Sequence, residues 1–363
     1  MCLRHSKRRR GSRRWDKWFG PDRVDRGFFF VYTPYRLLTI DLMKILITGG
    51  AGFIGTNFTY YYFDKHPEAE IVILDKLTYA GTRENLDPLS DDSRFKFEQI
   101  DIIDKDAVFA LFARERFDTV VNFAAESHVD RSIHEPSVFV MTNVVGTHNL
   151  LDASMQFGVK RYHQISTDEV YGDLGDNSTD LFREDSPLKP SSPYSSSKAA
   201  ADLVCHAYHR TYGLPVTVSR CSNNYGPYQY PEKLIPYFYF LASKGEKVPV
   251  YGDGGNIRDW IYVDDHCEAV DIIIDCGKPG EIYNIGGNCE KTNLEITREI
   301  LDYVGQGEME FVEDRRGHDR RYAIDNRKME REFGWKPKMP FADGLKKTFQ
   351  WYDLNQEWLN QKS

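Results

Sequence analysis

The sequence predicts an α/β fold, a doubly wound parallel sheet followed by a smaller α/β lobe, and three observations carry that prediction. Short apolar runs alternate with helix-length stretches from Met43 onward, a glycine-rich turn follows the first run, and the composition changes beyond Arg220. The runs are Ile45-Leu46-Ile47, Ile71 to Leu74, Phe95-Lys96-Phe97, Val120 to Phe123, Tyr162 to Ile165 and Val216-Thr217-Val218. Between them helices are expected at about 53–64, 105–115, 137–157 and 193–212, long enough for right-handed crossovers. After Arg220, aromatics, prolines and glycines crowd Tyr225 to Trp260, and helical stretches return near 264–276 and 293–304, which marks the smaller lobe.

Composition bounds the rest. With 363 residues the chain can bury a substantial core, and its hydrophobic fraction of 41% is that of an ordinary soluble enzyme. No apolar run approaches the roughly 18–20 residues that cross a bilayer, so no membrane partner is expected. Six irregularly spaced cysteines form no Cys-x-x-Cys pair, which argues against a disulfide framework or a zinc ribbon and for a cytoplasmic location. The first 42 residues hold eleven Lys+Arg against four Asp, a charge of +7, so the body carries −15 of the net −8. This head lacks apolar periodicity and reads as a disordered or non-native basic extension; a nucleic-acid or surface-binding arm and a targeting segment are the alternatives. No catalytic role, and no nucleic-acid partner for the enzyme, is assigned to it.

Gly49-Gly50-Ala51-Gly52-Phe53-Ile54-Gly55 joins the first strand to the first helix and satisfies the Gly-x-Gly-x-x-Gly spacing. Glycine there permits the tight turn and a close backbone approach to a pyrophosphate, whose charge meets the amides of the helix N-terminus. Asp75 ends the second strand, where a carboxylate accepts from the adenosine ribose hydroxyls and repels a 2′-phosphate, so NAD is expected over NADP. Lys76 is the counter-signal. Position at strand ends adds Asp101, Ile102, Ala124 and Ala125 to the cofactor set, and Phe53 and Ile54 belong to the turn itself. The expected division is a Rossmann domain at 43–221 and a smaller substrate-covering lobe at 222–363, with the option of returning strands to the main sheet.

Tyr194 and Lys198 stand four residues apart and share one helix face, so the ammonium is expected to lower the tyrosine pKa and make it a base. Thr167-Asp168-Glu169 follows the fifth strand. A simple hydride transfer needs one base for the alcohol proton, so two further carboxylates imply further proton transfers. Like charges held close and partly desolvated raise one pKa, which would leave Asp168 protonated as acid and Glu169 ionised as base.

These segments, with Ser166 to Gly172, Asp75 to Gly81, Ala124 to His128, Ser222 to Pro227, Asn256 to Trp260 and Arg316 to Asp319, resemble the extended short-chain dehydrogenase/reductases. The similarity covers roughly residues 43–350 and is closest to the dTDP-glucose 4,6-dehydratase family. It implies a lyase cycle on a nucleotide sugar. Tyr194, helped by Thr167, would deprotonate the hydroxyl at sugar carbon 4 as NAD takes hydride; Glu169 would remove the carbon 5 proton while Asp168 protonates the departing carbon 6 hydroxyl; hydride would return to carbon 6. It also implies Leu77, Thr78 and Asn224 as further cofactor contacts. Ser127, Thr167, Asn223, Lys233, Leu234, Pro249, Tyr251, Arg258, Asn293, Arg315 and His318 are implied as substrate contacts, with arginine forks suited to phosphate oxygens.

Arg316 departs from the proline that many such relatives carry before Gly-His-Asp, which leaves the loop less rigid and adds a charge. His206 and His209 share a helix face without a third ligand, so no metal is expected. The apolar faces of 137–157 and 193–212 could pair across a two-fold axis, giving a homodimer as in this family. The readings set against a dehydratase are a UDP-sugar 4-epimerase or decarboxylase of the same fold, and a non-catalytic NAD-sensing protein.

Overall fold

In the computed structural model, seven parallel strands form the main sheet in the order β10-β6-β5-β4-β1-β2-β3. They are β1 (Lys44–Thr48), β2 (Glu70–Asp75), β3 (Phe95–Gln99), β4 (Thr119–Asn122), β5 (Arg161–Thr167), β6 (Val216–Cys221) and β10 (Ile282–Ile285). The structure describes residues 43–175, 178–315 and 317–362. The basic head and Arg316, both singled out in the sequence, lie outside them.

Near-continuous apolar strands are what a sheet covered on both faces demands. Ile45, Leu46, Ile47, Val72, Ile73, Val120 and Val121 are all sealed from solvent. Helix α1 (Phe53–Lys65) packs one face together with α6 (Val263–Cys276); α2 (Lys105–Glu115), α3 (Thr147–Phe157) and α4 (Pro193–Tyr212) belong to the other. Strand order reverses between β1 and β4, and ligands of such sheets bind beyond the carboxyl ends of the strands at that switch point.

Helix α4 begins with a reciprocal capping box between Ser192 and Ser195 and with Pro193 in its first turn, and it ends at Gly213 in the left-handed conformation. The segment expected as one helix at 137–157 is interrupted instead. Val140–Gly146 winds as a π-helix between the short Pro136–Phe139 helix and α3. Asn143, inside that wide turn, accepts from the Glu126 amide (2.9 Å) and donates to the Glu126 carbonyl (3.0 Å) and to Ser197 Oγ (2.8 Å). The widened turn thus ties the loop after β4 to α4, and π-turns of this kind are frequent at functional sites.

The remaining strands build two small sheets. β9 (Ile257–Tyr262) pairs with β7 (Asn223–Tyr225) and β11 (Glu290–Thr292), and β8 (Lys247–Tyr251) pairs with β12 (Glu308–Val312). Helices α5 (Leu234–Ser243), α7 (Asn293–Val304) and α8 (Phe341–Leu354) enclose an aromatic-rich core between them. The chain beyond residue 222 therefore forms this smaller layer and also supplies β10 to the main sheet.

Candidate active site

A cleft of about 300 Å³ runs from the glycine turn, past the ends of β2 and β3, to the ends of β5 and β6. At its first end Gly49 has φ +68°, and a Cβ on it would stand 2.6 Å from the Ala124 amide nitrogen. A Cβ on Gly55 would stand 2.1 Å from the Gly49 carbonyl oxygen. Gly52 caps α1 without any side-chain hydrogen bond, so the amides of the first turn stay open toward the cleft.

Asp75 accepts from the Ala51 amide through Oδ2 (3.0 Å) and from the Leu77 amide through Oδ1 (2.8 Å). Burial pushes its carboxyl pKa up, and those two amides oppose the shift. Lys76, in the cleft wall, forms ion pairs with Asp101 and Glu126, which line the same cleft, each at 3.6 Å. The counter-signal in the sequence is thereby answered: the Lys76 charge is already shared by two carboxylates. Gly52, Phe53, Ile54, Thr78, Ile102, Ala124 and Ala125 line the same wall. Leu77 does not; its side chain packs into the core, and only its amide serves the turn.

At the other end, Thr167, Asp168, Glu169, Tyr194 and Lys198 meet in the cleft wall. The Thr167 hydroxyl caps the turn by accepting from the Glu169 amide (3.3 Å) and donates to Asp168 Oδ1 (3.3 Å). Asp168 is buried, and its Oδ2 has no hydrogen-bond partner. Burial, then the neighbouring charges of Glu169 and Asp259, hold its carboxyl well above the usual range, which favours the neutral acid. Burial also raises Glu169, but Arg315, Arg258 and Lys233 pull it back toward the ionised form. Both carboxyls stand above their ordinary values, and those three cations oppose the rise at Glu169.

Tyr194 departs from expectation. Burial and the Glu169 charge push its phenol well above its ordinary value, with the Thr167 hydroxyl opposing. Lys198 instead donates to the Ile165 carbonyl at 2.6 Å, and burial lowers its own pKa. Helical spacing put the two side chains on one face but could not anticipate the exposed carbonyl at the end of β5.

A carboxyl with a folded pKa above its unfolded value costs stability once pH exceeds the unfolded value. The cost is absent below about pH 4 and grows until the folded pKa is reached. Asp168→Asn is therefore expected to melt at or above the wild-type temperature at pH 7 and to converge with it near pH 4. A melting temperature at pH 7 several degrees below wild type would contradict the neutral-acid assignment.

Of the residues expected on the substrate side, Ser127, Thr167, Asn223 and Lys233 line the cleft, and Asn224 lines it beside them. Lys233 Nζ donates to the Ser127 carbonyl at 2.8 Å. Leu234, Pro249, Tyr251, Arg258, Asn293, Arg315 and His318 are not part of its wall. They stand on the smaller layer: Leu234 and Asn293 open α5 and α7, Pro249 and Tyr251 lie on β8, and Arg258 on β9. The Arg258 guanidinium is buried, donating to the carbonyls of Ile257 (2.7 Å) and Asp319 (2.9 Å) and stacked over Tyr322. Arg315 pairs with Asp130 at 3.1 Å, and His318 with Asp314 at 2.6 Å. Burial and the Arg315 charge lower His318 to about 4. Of these groups, Arg315 and Arg258 act electrostatically on Glu169 from outside that wall.

Glu126, Thr142, Ser166, Ser222, Gln229, Tyr230 and Glu232 also line the cleft and were not singled out by sequence. Glu126 and Ser166 stand inside motifs already read, so position alone could have found them. Thr142 reaches the cleft from the π-turn, which leaves no trace in the hydrophobic pattern.

Comparison with known proteins agrees with this geometry. The GDP-mannose 4,6 dehydratase family model matches residues 46–348. The dTDP-glucose 4,6-dehydratase of Salmonella typhimurium is 47% identical over 343 residues, covering 88% of this chain and 95% of that protein. The low-salt glycan biosynthesis protein Agl12 of Haloferax volcanii is 51% identical over 312 residues, covering 85% and 98%. Among solved structures, DesIV, a dTDP-glucose 4,6-dehydratase from Streptomyces venezuelae with NAD and TYD bound, superposes with a TM-score of 0.85 at 48% identity. It covers 88% of this chain and 100% of that one. A chain so matched across its whole sheet, with the two acids and the tyrosine in one cleft, belongs to the GDP-mannose 4,6 dehydratase family of extended short-chain dehydrogenase/reductases, within its dTDP-glucose 4,6-dehydratase group.

Proposed function

We propose that this chain converts dTDP-glucose to dTDP-4-keto-6-deoxyglucose as an NAD-dependent hydro-lyase, supplying a precursor of deoxysugars. The observation that carries the reading is the Thr167-Asp168-Glu169 turn facing Tyr194 at one end of a cleft whose other end is a glycine turn. The residues fit NAD: glycine at 49 and 55 lets the turn pack against Ala124 and against itself, which brings the first-turn amides of α1 to the cleft where a pyrophosphate would bind. Asp75 keeps acceptor lone pairs beyond its two amides. Lys76, beside Asp75 in the cleft wall, shares its charge with Asp101 and Glu126, which supports NAD over a 2′-phosphorylated cofactor.

When bound, NAD supplies a reversible hydride acceptor, taking hydride from carbon 4 and giving it back at carbon 6. The protein's part is proton transfer. Tyr194, with Thr167, accepts the carbon 4 hydroxyl proton; its raised pKa calls for a cationic neighbour when the site is loaded. The ketone acidifies the carbon 5 proton, Glu169 removes it, and Asp168, kept neutral by burial, protonates the hydroxyl leaving carbon 6; as hydride returns to carbon 6, Glu169, exchanged with solvent, gives a proton back to carbon 5. A positioned acid or base is worth about 10²–10⁴-fold each.

Incubation with dTDP-glucose in heavy water, followed by NMR, tests the assignment. The expected product is the 4-keto-6-deoxy sugar carrying deuterium at carbon 5. Unchanged substrate or dTDP-galactose would overturn it, the latter in favour of an epimerase.

The lobe built from residues 222–363 is the proposed sugar-nucleotide side, with Arg258, Arg315, His318, Tyr251 and Asn293 approaching the substrate from beyond the cleft wall. A homodimer is proposed from Val138, Val140, Met141 and Met155 on one helical segment and Leu203 and Tyr212 on the adjacent α4, all exposed. Sedimentation at twice the chain mass is expected; a monomer at micromolar concentration would remove the proposal. No helix among the described residues is long and apolar enough to cross a membrane, and the described cysteines form no disulfide, which supports the proposed cytoplasmic location.

A further inference from the structure

Asn224 stands in the wall at the reactive end of the cleft, and its side-chain amide is held from behind. Nδ2 donates to the Ser222 carbonyl at 3.0 Å, which fixes which end of the amide is nitrogen. Oδ1 lies 2.8 Å from Nδ1 of His266, on α6. An amide oxygen can only accept, so His266 must carry its proton on Nδ1. The imidazole is sealed from solvent, burial presses its pKa to about 3, and its Nε2 has no hydrogen-bond partner.

Nothing about the packing of α6 calls for a histidine here. Its sheet-facing neighbours Val263, Cys267, Val270, Ile273 and Ile274 are apolar core, and a buried imidazole with one nitrogen unpaired costs stability. The one hydrogen bond it makes leads to a residue of the cleft. We propose that His266 is a positioning residue for cofactor binding: its Nδ1 proton locks the Asn224 amide so that the nitrogen is presented at the Cys221–Ser222 edge of the cleft, where it would donate to bound NAD. The inference rests on the reading of the cleft as an NAD site and adds a residue lying wholly behind the wall. Without His266 the amide can turn over and offer oxygen where a donor is needed.

The test is NAD affinity of the full chain, measured by calorimetry on protein freed of nucleotide. His266→Leu fills the space without a donor, and His266→Asn places an amide N–H near the lost Nδ1. Leu is expected to weaken NAD binding about tenfold, the scale of one oriented polar hydrogen bond, while Asn restores most of it. In an Asn224→Ala background the Leu substitution should have no further effect, because distant independent contributions add and coupled ones do not. Affinity within twofold of wild type in folded His266→Leu would overturn the proposal. So would equal losses in the Leu and Asn variants, or a full tenfold loss persisting without Asn224. Failure of the wild-type chain to bind NAD would instead overturn the cofactor reading itself.

Discussion

Glu169→Gln is expected to slow turnover by about 10²–10⁴-fold and to abolish deuterium incorporation at carbon 5 from heavy water. Glutamine keeps the shape and the capping amide but cannot take a proton. Burial raises the Glu169 carboxyl, and three cations, Arg315, Arg258 and Lys233, oppose that rise, the direction a base requires. The variant should still oxidise carbon 4, because that step belongs to Tyr194 and Thr167 at the other side of the turn. Tyr194→Phe should fail one step earlier, forming no 4-keto sugar. Rapid-quench analysis of sugar intermediates separates the two, and near-wild-type turnover of Glu169→Gln would remove Glu169 from the mechanism.

The largest stability effect is expected at Arg220. Its Nε donates to Asp202 Oδ2 at 2.9 Å, both side chains are nearly sealed, and the guanidinium stacks over Tyr171. Arg220→Met strands a buried carboxylate whose other oxygen already lacks a partner. Breaking such a pair from one side costs about 3–5 kcal/mol, whereas replacing both partners with apolar groups is often neutral. The single variant should therefore melt on the order of 10 °C lower, and Arg220→Met with Asp202→Leu should recover most of that. Equal melting of the single variant and wild type would show that the pair contributes little. Asp202 also opposes the burial of Lys198 one turn earlier on α4, so the double variant should remain folded yet lose activity.

What the sequence disclosed follows from how local its signals are. Ile45 to Ile47, Ile71 to Leu74 and Val216 to Val218 announce strands because strands covered on both faces must be apolar throughout. Gly49 to Gly55, Asp75 and Thr167 to Glu169 could be placed because each lies within a few residues of a strand end. Tyr194 and Lys198 were found by helical spacing, but the carbonyl that Lys198 engages belongs to Ile165, on a different element. The π-turn at Val140–Gly146 was illegible because one extra residue per turn hardly alters an apolar pattern. Arg258, Arg315 and His318, named as substrate contacts, stand outside the cleft wall, where the first donates to carbonyls and the others pair with Asp130 and Asp314. The Arg258–Asp319 and Arg315–Asp130 pairings join segments far apart in the chain, which no local pattern records.

The crossing of β5 into its turn, and of that turn toward α4, has a consequence for how such an enzyme can diverge. In the proposed mechanism every proton-moving group falls between Thr167 and Lys198, on a single strand, turn and helix, and the layer built on β8, β9 and β11 is the proposed recognition side. Exchange of residues in that outer layer can redirect the enzyme to another sugar or base while the reactive segment is inherited unchanged. A new specificity can be acquired without first losing the old chemistry.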